Sequence, residues 1–302
     1  MSIRFDGRVA IVTGAGGGLG RQHALALAAR GASVVVNDLG GSVDGNGGAP
    51  AAAHAVAEEI RAAGGKAIAS GASVTDFAAV EAMVAAAMQE WGRVDILVNN
   101  AGILSDKSFT KMDLADFRLV MDVHLMGAVH CTKAVWAIMR ERNYGRIVMT
   151  TSSTGLYGNF GQANYGAAKM ALVGLMQTLS IEGAKHDIRV NCLAPTAATR
   201  MTENLMPEAV LKLLEPEAVT PGLLALVAED APTRAILCAG AGAFERAHVT
   251  LTQGVHVGHP ADAAEQIAAR WAAISDRDGE TVPESGAAQG ALEIGKAMRA
   301  LG

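Results

Sequence analysis

Seven short apolar runs recur along the chain, and long Ala-rich stretches of helical character separate them. The runs are Arg8–Thr13, Ser33–Asn37, Lys66–Ser70, Asp95–Asn99, Arg146–Thr151, Arg189–Leu193 and Arg234–Cys238. The helical stretches lie near 18–30, 51–63, 76–91, 113–142, 165–185 and 207–229. Strands that are apolar along their whole length bury both faces, and helical crossovers between them make neighbouring strands parallel. The pattern predicts an α/β fold, a doubly wound Rossmann-type sheet of seven parallel strands with helices on both faces. Half of the 302 residues are apolar, enough for a substantial core, and no linker-like segment divides the chain, so a single domain over 1–302 is expected.

Two segments break the rhythm. Gly40–Pro50 (GGSVDGNGGAP) is longer than the usual strand-to-helix connection; it is either a flexible insertion or a loop that folds over a bound ligand. The stretch 240–302 is polar and helix-prone, and reads as a lid, an oligomer contact or a disordered tail.

Composition narrows the function classes. A formal charge of −5 and a pI near 5.9 argue against nucleic acid and anionic membranes as partners. Cys131, Cys192 and Cys238 are odd in number and widely spaced, which fits reduced core thiols better than a disulfide framework. No stretch approaches 18 uninterrupted apolar residues, and the apolar run at the N-terminus is too short for a signal peptide. A cytoplasmic protein is expected.

The first run leads directly into TGAGGGLG, residues 13–20. Gly14, Gly18 and Gly20 follow G-x-x-x-G-x-G, which differs from the G-x-G-x-x-G dinucleotide fingerprint and from a P-loop. The physical use is the same. Missing side chains let the backbone approach a pyrophosphate, and the next helix offers its N–H groups and positive dipole end. The second run ends at Asp38, where a carboxylate can accept both hydroxyls of an adenosine ribose and repel a 2′-phosphate. No Arg or Lys occurs in the glycine loop to counter that charge, so NAD is expected over NADP.

The fourth run continues into Asn99-Asn100-Ala101-Gly102 and the fifth into Thr150-Thr151-Ser152-Ser153, both at the carboxyl edge where open α/β sheets bind ligands. Thirteen residues after Ser152 comes Tyr165, and four further on Lys169, on one face of a helix with only small residues between. A free tyrosine, with a pKa near 10, is a poor base at neutral pH. A lysine cation one helical turn away, with a positive nicotinamide ring, is expected to lower it.

TG-x3-G-x-G, NNAG, a Ser thirteen before Y-x3-K, and a Pro after the sixth strand resemble, in order, the motifs of the short-chain dehydrogenase/reductase family over residues 6 to about 240. The resemblance implies an oxidoreductase with Tyr165 as general acid/base, Lys169 as its electrostatic helper and Ser152 as donor to the substrate oxygen. It implies cofactor contacts from Gly14, Gly18, Leu19, Gly20, Asp38, Ser73, Val74, Asn100, Ala101, Gly102, Tyr165, Lys169, Pro195 and Ala198. It further implies a small-molecule substrate and a homodimer or homotetramer. Two positions depart from the family. His124 stands in DVHLMG where an Asn usually holds a water of the proton relay, and is either a structural histidine or a ligand of that same water. Ser73 replaces the usual Asp of the adenine pocket.

NDLGG with its long glycine loop, GILSDKSF, VHLMG, YGNFGQANY and AP-x-A-x-x-RMTE resemble a narrower branch, the (3R)-hydroxyacyl-CoA dehydrogenase units of the peroxisomal multifunctional enzymes. That branch carries histidine in the Asn place. It implies oxidation of (3R)-hydroxyacyl-CoA thioesters, with the Met201–Met206 region and the tail covering an apolar chain. A hydroxysteroid or other secondary-alcohol dehydrogenase is the alternative, and a non-catalytic NAD-binding protein a further one. His248, His256 and His259 lack an acidic partner and tight spacing, so no metal site is expected. Lys107, Lys111 and Arg200 border the expected pocket, either as surface charge or as contacts to a CoA phosphate. No G-x-S-x-G elbow supports a hydrolase.

Overall fold

A computed structural model describes residues 2–41, 51–197 and 211–301. The chain divides into two compact units, Met1–Arg246 and Ala247–Gly302. In the first, the strands are β1 (Val9–Thr13), β2 (Ser33–Asn37), β3 (Lys66–Ser70), β4 (Ile96–Asn99), β5 (Gly145–Thr150), β6 (Ile188–Thr196), β7 (Ile236–Gly240) and β8 (Ala243–Ala247). They form one sheet in the order β3-β2-β1-β4-β5-β6-β7-β8. The registers run parallel from β3 through to β7. β1, β4 and β5 are buried along their whole lengths, as strands covered by helices on both faces must be.

The sheet has eight strands rather than the seven expected. Only Ala241 and Gly242 separate β7 from β8, both at positive φ (51° and 77°), so the eighth strand closes a hairpin and runs antiparallel. Its sequence, AFERA, is exposed along most of its length, so it lacks the apolar pattern by which the others are recognised.

The described helices of this unit are α1 (Gly18–Ala29), α2 (Ala51–Ala62), α3 (Phe77–Trp91), α4 (Leu114–Met121), α5 (Gly127–Arg142), α6 (Ser153–Tyr157), α7 (Ala163–Gly183) and α8 (Thr220–Leu226). The stretch 113–142, expected as one helix, is interrupted between α4 and α5 by a π-helical turn, Asp122–Met126. π-turns of this kind insert a residue and turn a side chain out of register, often at functional sites. Here the turn carries His124 inward, where it is 3% exposed. Within the expected helix 207–229, the described part holds a 3₁₀ turn at Pro216–Ala218 and then α8.

The second unit contains α9 (Ala263–Ala269), α10 (Trp271–Ile274) and α11 (Gly286–Ala300), with an antiparallel bridge between Leu251 and Thr281. No helix among the described residues is long and apolar enough to cross a membrane. The strand order reverses between β1 and β4, which leaves a crevice at their carboxyl ends.

Candidate active site

A cavity of about 330 Å³ opens at that reversal, reaching from Asp38 and Val74 at one end to Tyr165 and Lys169 at the other. Its floor is the turn from β1 into α1. Gly14 sits at φ 63°, and a Cβ there would lie 2.8 Å from the Ala101 Cα. A Cβ on Gly20 would come within 2.2 Å of the Gly14 carbonyl oxygen, so the turn closes only without side chains. α3 and α4 begin with aspartate caps, Asp76 and Asp113, whereas α1 begins at Gly17 with no side-chain cap and no acidic residue in its first turn. Its leading N–H groups are therefore left for an anion, as a pyrophosphate cradle requires.

Asp38 follows β2. Its two oxygens accept the N–H groups of Gly16 (2.8 Å) and Gly40 (2.7 Å). Each carboxylate oxygen keeps a lone pair for a further donor, so the charge is both aimed and available. On the other side, Thr13 Oγ1 accepts the N–H groups of Asn100 and Ala101 (both 3.0 Å), and Asn100 Nδ2 donates to the carbonyls of Thr13 and Gly14. These bonds tie the NNAG turn to the glycine turn. Ser73 and Val74 line the cavity beyond Asp38, and His130 Nδ1 lies 2.9 Å from the Val74 carbonyl. Pro195, on β6, lines the opposite wall.

Tyr165, Lys169 and His124 line the other end of the cavity, next to the turn that bears Ser152. Lys169 is 3% exposed and donates from Nζ to the Thr150 carbonyl oxygen at 2.5 Å, with Nζ 5.4 Å from the centre of the Tyr165 ring. A Cβ on Gly155 would lie 2.8 Å from the Lys169 Cβ, so α6 presses on α7 at this point. Burial drives the Lys169 ammonium down to about 7. The Ser152 hydroxyl accepts the Thr154 N–H at 3.1 Å, and the Ser152 side chain lies close enough to Tyr165 to lower its hydroxyl.

Without a cofactor the Tyr165 hydroxyl lies above the usual phenol range: burial raises it most, the Ser152 side chain lowers it, and the Asp106 charge raises it further. Burial disfavours the phenolate, and the same burial holds the lysine near neutrality.

His124 meets the Tyr165 ring edge-on, with centroids 5.2 Å apart. Its Nε2 lies 2.8 Å from the Ile103 carbonyl oxygen and 3.1 Å from the Ile103 nitrogen. The shorter contact assigns the hydrogen to Nε2 and makes Nδ1 an acceptor. Burial, with Lys169 adding to it, lowers this imidazole to about 3, so it is neutral at physiological pH. A Cβ on Gly102 would lie 2.3 Å from the His124 ring, which accounts for glycine at the end of NNAG. Nδ1 has no partner, nor have the buried Asn99 Oδ1 and Thr150 Oγ1 beside it. A void of about 10 Å³, lined by His124, Asn99 and Lys169 among others, is roughly the room one water needs.

Residues 8–209 match the short chain dehydrogenase family. The chain belongs to that family. A short-chain type dehydrogenase/reductase from Mycobacterium tuberculosis is 47% identical over 91% of this chain and 96% of its own length. The full-length peroxisomal multifunctional enzyme type 2 of Drosophila melanogaster superposes with a TM-score of 0.81 at 36% identity, over 99% of this chain and 51% of that one. A 7α-hydroxysteroid dehydrogenase, solved with NADH and 7-oxo glycochenodeoxycholic acid, superposes with a TM-score of 0.71 at 30% identity, over 79% of this chain and 95% of that one. The chain spans only 25–64% of the curated peroxisomal multifunctional relatives it matches.

As a short-chain dehydrogenase the chain is an oxidoreductase of a family that binds NAD(P), and the cradle fits that group: an uncapped helix start, glycines that a Cβ would block, and a carboxylate at the far end. Thirteen expected site residues border the cavity: Gly14, Gly18, Leu19, Asp38, Ser73, Val74, Asn100, Ala101, Gly102, His124, Tyr165, Lys169 and Pro195. Gly20 supports it from beneath, and Ser152 reaches it through Tyr165. Ala198, Arg200, Met201–Met206 and residues 42–50 of the glycine loop lie outside the described residues. Lys107 is paired with Asp116 at 2.8 Å. No group of three His, Cys, Asp or Glu suited to a metal occurs among the described residues.

Several contributors were not named from sequence. The Thr150 carbonyl that holds Lys169 is backbone and leaves no side-chain signal. Asp106, Thr154 and Gln162 are brought together across 8 to 56 residues of sequence, a distance no local pattern spans.

Proposed function

We propose that this short-chain dehydrogenase oxidises (3R)-hydroxyacyl-CoA thioesters to 3-ketoacyl-CoA with NAD. The observation that carries the reaction type is one crevice with the Gly14–Gly20 turn and Asp38 at one end and Ser152, Tyr165 and Lys169 at the other. NAD, when bound, supplies the hydride acceptor for the carbinol carbon. Tyr165 takes the hydroxyl proton, Ser152 donates to the same oxygen, and Lys169, poised near neutrality, passes protons onward from beneath the tyrosine. His124 Nδ1 and Asn99 Oδ1 are the acceptors for a water in the void beside Lys169, giving that proton a route away from the substrate.

Support for NAD over NADP is the Asp38 carboxylate after β2, held by two backbone N–H groups on the border of the cavity. Support for the thioester is the likeness to the multifunctional enzyme over nearly the whole chain. The neighbour solved with a 7-oxo bile acid supports a second reading, a hydroxysteroid dehydrogenase. Purified protein with NAD, assayed against (3R)- and (3S)-hydroxyacyl-CoA of several lengths and against free hydroxysteroids, separates them. Turnover of the (3R)-thioesters is expected; steroid oxidation without thioester turnover would reject the first reading.

We read the chain as one catalytic domain with an extension from residue 240, working as a homodimer or homotetramer. Ile294 and Met298 on α11 are 63% and 67% exposed, which supports an oligomer contact for that extension over a lid. Light scattering of the purified protein decides the stoichiometry. The free thiols Cys131 and Cys192, both buried, support a reducing compartment such as the cytoplasm.

A further inference from the structure

Three segments meet beside Tyr165: the loop after β4, the turn after β5, and the start of α7. Gln162, immediately before α7, is bonded to all of them. Its Nε2 donates to Asp106 Oδ2 at 2.7 Å, and its Oε1 accepts from Thr154 Oγ1 at 2.9 Å and from Asn159 Nδ2 at 3.1 Å. Only this orientation of the amide works, because turning it over would set its oxygen against the Asp106 carboxylate and its nitrogen against the Asn159 NH₂. Two further bonds run alongside, Asn164 Nδ2 to the Ser105 carbonyl (3.0 Å) and the Lys107 N–H to the Gly161 carbonyl (2.9 Å). They tie the β4 loop to the start of α7, but Gln162 alone of these also reaches the turn that bears Ser152.

We propose that Gln162 is a positioning residue of the oxidation, and that it does so by holding the Asp106 carboxylate and the Ser152 turn in fixed places around Tyr165. The proposal rests on the reading of Tyr165 as the acid–base group. From Asp106 the bonds run through Gln162 to Thr154, whose N–H holds Ser152 Oγ at 3.1 Å, and both Asp106 and Ser152 act on the Tyr165 hydroxyl.

The groups facing Tyr165 are few. Lys169 stands one turn along α7, with Nζ 5.4 Å from the ring centre. His124 comes from the π-turn, with centroids 5.2 Å apart. Ser152 comes from the β5 turn, and Asp106, from the β4 loop, brings the carboxylate that acts on the hydroxyl. The neighbouring Lys107 is occupied by Asp116. A negative charge near a phenol that must lose its proton works against ionisation, so where Asp106 is held matters to the rate. Misplacement of reacting groups by about 1 Å costs up to roughly 10²-fold.

Two variants separate the tether from the charge. Gln162→Ala removes all three side-chain bonds, and Asp106→Asn keeps an acceptor for Gln162 Nε2 but removes the charge. With NAD and a (3R)-hydroxyacyl-CoA as substrate, Gln162→Ala is expected to lower kcat by about 10- to 100-fold while NAD affinity by calorimetry stays within about twofold. Asp106→Asn is expected to move the pH profile of kcat/KM to lower pH by about half a unit, because the charge that raises Tyr165 is gone. The tyrosinate absorbance of the NAD complex, taken as the difference from Tyr165→Phe, reads the same shift without any substrate.

A Gln162→Ala kcat within about twofold of wild type, or an unmoved tyrosinate titration in Asp106→Asn, overturns the proposal. If Tyr165→Phe itself keeps its turnover, the failure lies instead in the acid–base reading. Loss of NAD binding in Gln162→Ala would mark a folding defect, and Asp106→Asn then decides alone.

Discussion

At the amino ends of β1, β4 and β5 the chain buries Asp95 and Arg146, each 0% exposed, with every charge answered. Asp95 accepts two bonds from Arg93 (2.6 and 2.8 Å), another from the Val9 N–H, and lies 3.5 Å from Arg8. Arg146 donates to four carbonyls and to the Asp187 carboxylate, and the Tyr144 ring lies between the Arg8 and Arg146 guanidiniums at 3.6 and 4.2 Å. At the carboxyl ends of the same sheet, Asn99, Thr150 and His124 keep buried polar atoms without partners, and Lys169 has a single bond through Nζ. Unpaired buried polar groups cost about 1–3 kcal/mol each; away from the cavity His23 Nε2 and His186 Nε2 are left so as well. The amino edge is built to stay as it is. The carboxyl edge is held ready for ligands, at some expense of stability.

Tyr165→Phe is the largest expected break in that contrast. Removing one hydroxyl from the carboxyl edge should lower kcat by at least roughly 10²–10⁴-fold with NAD affinity and melting temperature nearly unchanged. Near-normal turnover would take the mechanism away. Asp95→Ala is the matched change at the amino edge and should do the reverse. It strands Arg93, which is 30% exposed and so partly rescued by water, while Arg8 keeps Glu229 at 2.7 Å. The cost should fall near the low end of that for a broken buried pair, about 3 kcal/mol by denaturant melts, with kcat per folded molecule unchanged.

The sequence discloses the two edges unequally. Strand positions, Gly14 and Gly20, Asp38, and the Tyr165–Lys169 pair were legible because each is a local pattern with a local physical reason. The amino-edge network was not, since Arg8, Asp95, Arg146 and Asp187 meet only through strand order. The π-turn at Asp122–Met126 has no Gly or Pro to announce it, and the contact it sets up, His124 to Ile103, lies 21 residues away. The burial of Tyr165, which raises its hydroxyl in the free enzyme, likewise shows only in the fold.

Acid should test the carboxyl edge through His124. Its folded pKa, about 3, lies below the unfolded value near 6.5, so the unfolded chain binds the proton first. Its contribution to stability is therefore intact above pH 6.5 and is lost as pH falls from there toward 3, by roughly 1.4 kcal/mol per unit. His124→Asn removes the titrating ring. Between pH 7 and pH 5 the variant should lose about 2 kcal/mol less than the wild type in denaturant melts at the two pH values. An equal loss in both proteins would place the acid sensitivity elsewhere.

Asp38 carries the smallest expected effect and the sharpest test of how the carboxyl edge selects its ligand. Its carboxylate is gripped by the Gly16 and Gly40 N–H groups, and it packs so closely on Gly16 that a Cβ there would lie 2.8 Å from its Cγ. A 2′-phosphate brought to that place meets a fixed negative charge and displaces the acceptor of two ribose hydroxyls, with no Arg or Lys in the glycine loop to offset either. NAD should bind at least about tenfold more tightly than NADP, a difference of roughly 1.4 kcal/mol. Asp38→Ser should narrow that ratio mainly by weakening NAD, since the repulsion goes but no cation replaces it. Calorimetry with both cofactors on both proteins reads the ratio directly. Equal affinities in the wild type, or a preference for NADP, would mean that the carboxylate is a loop anchor for Gly16 and Gly40 alone, and that selection is made by residues on the far side of the crevice.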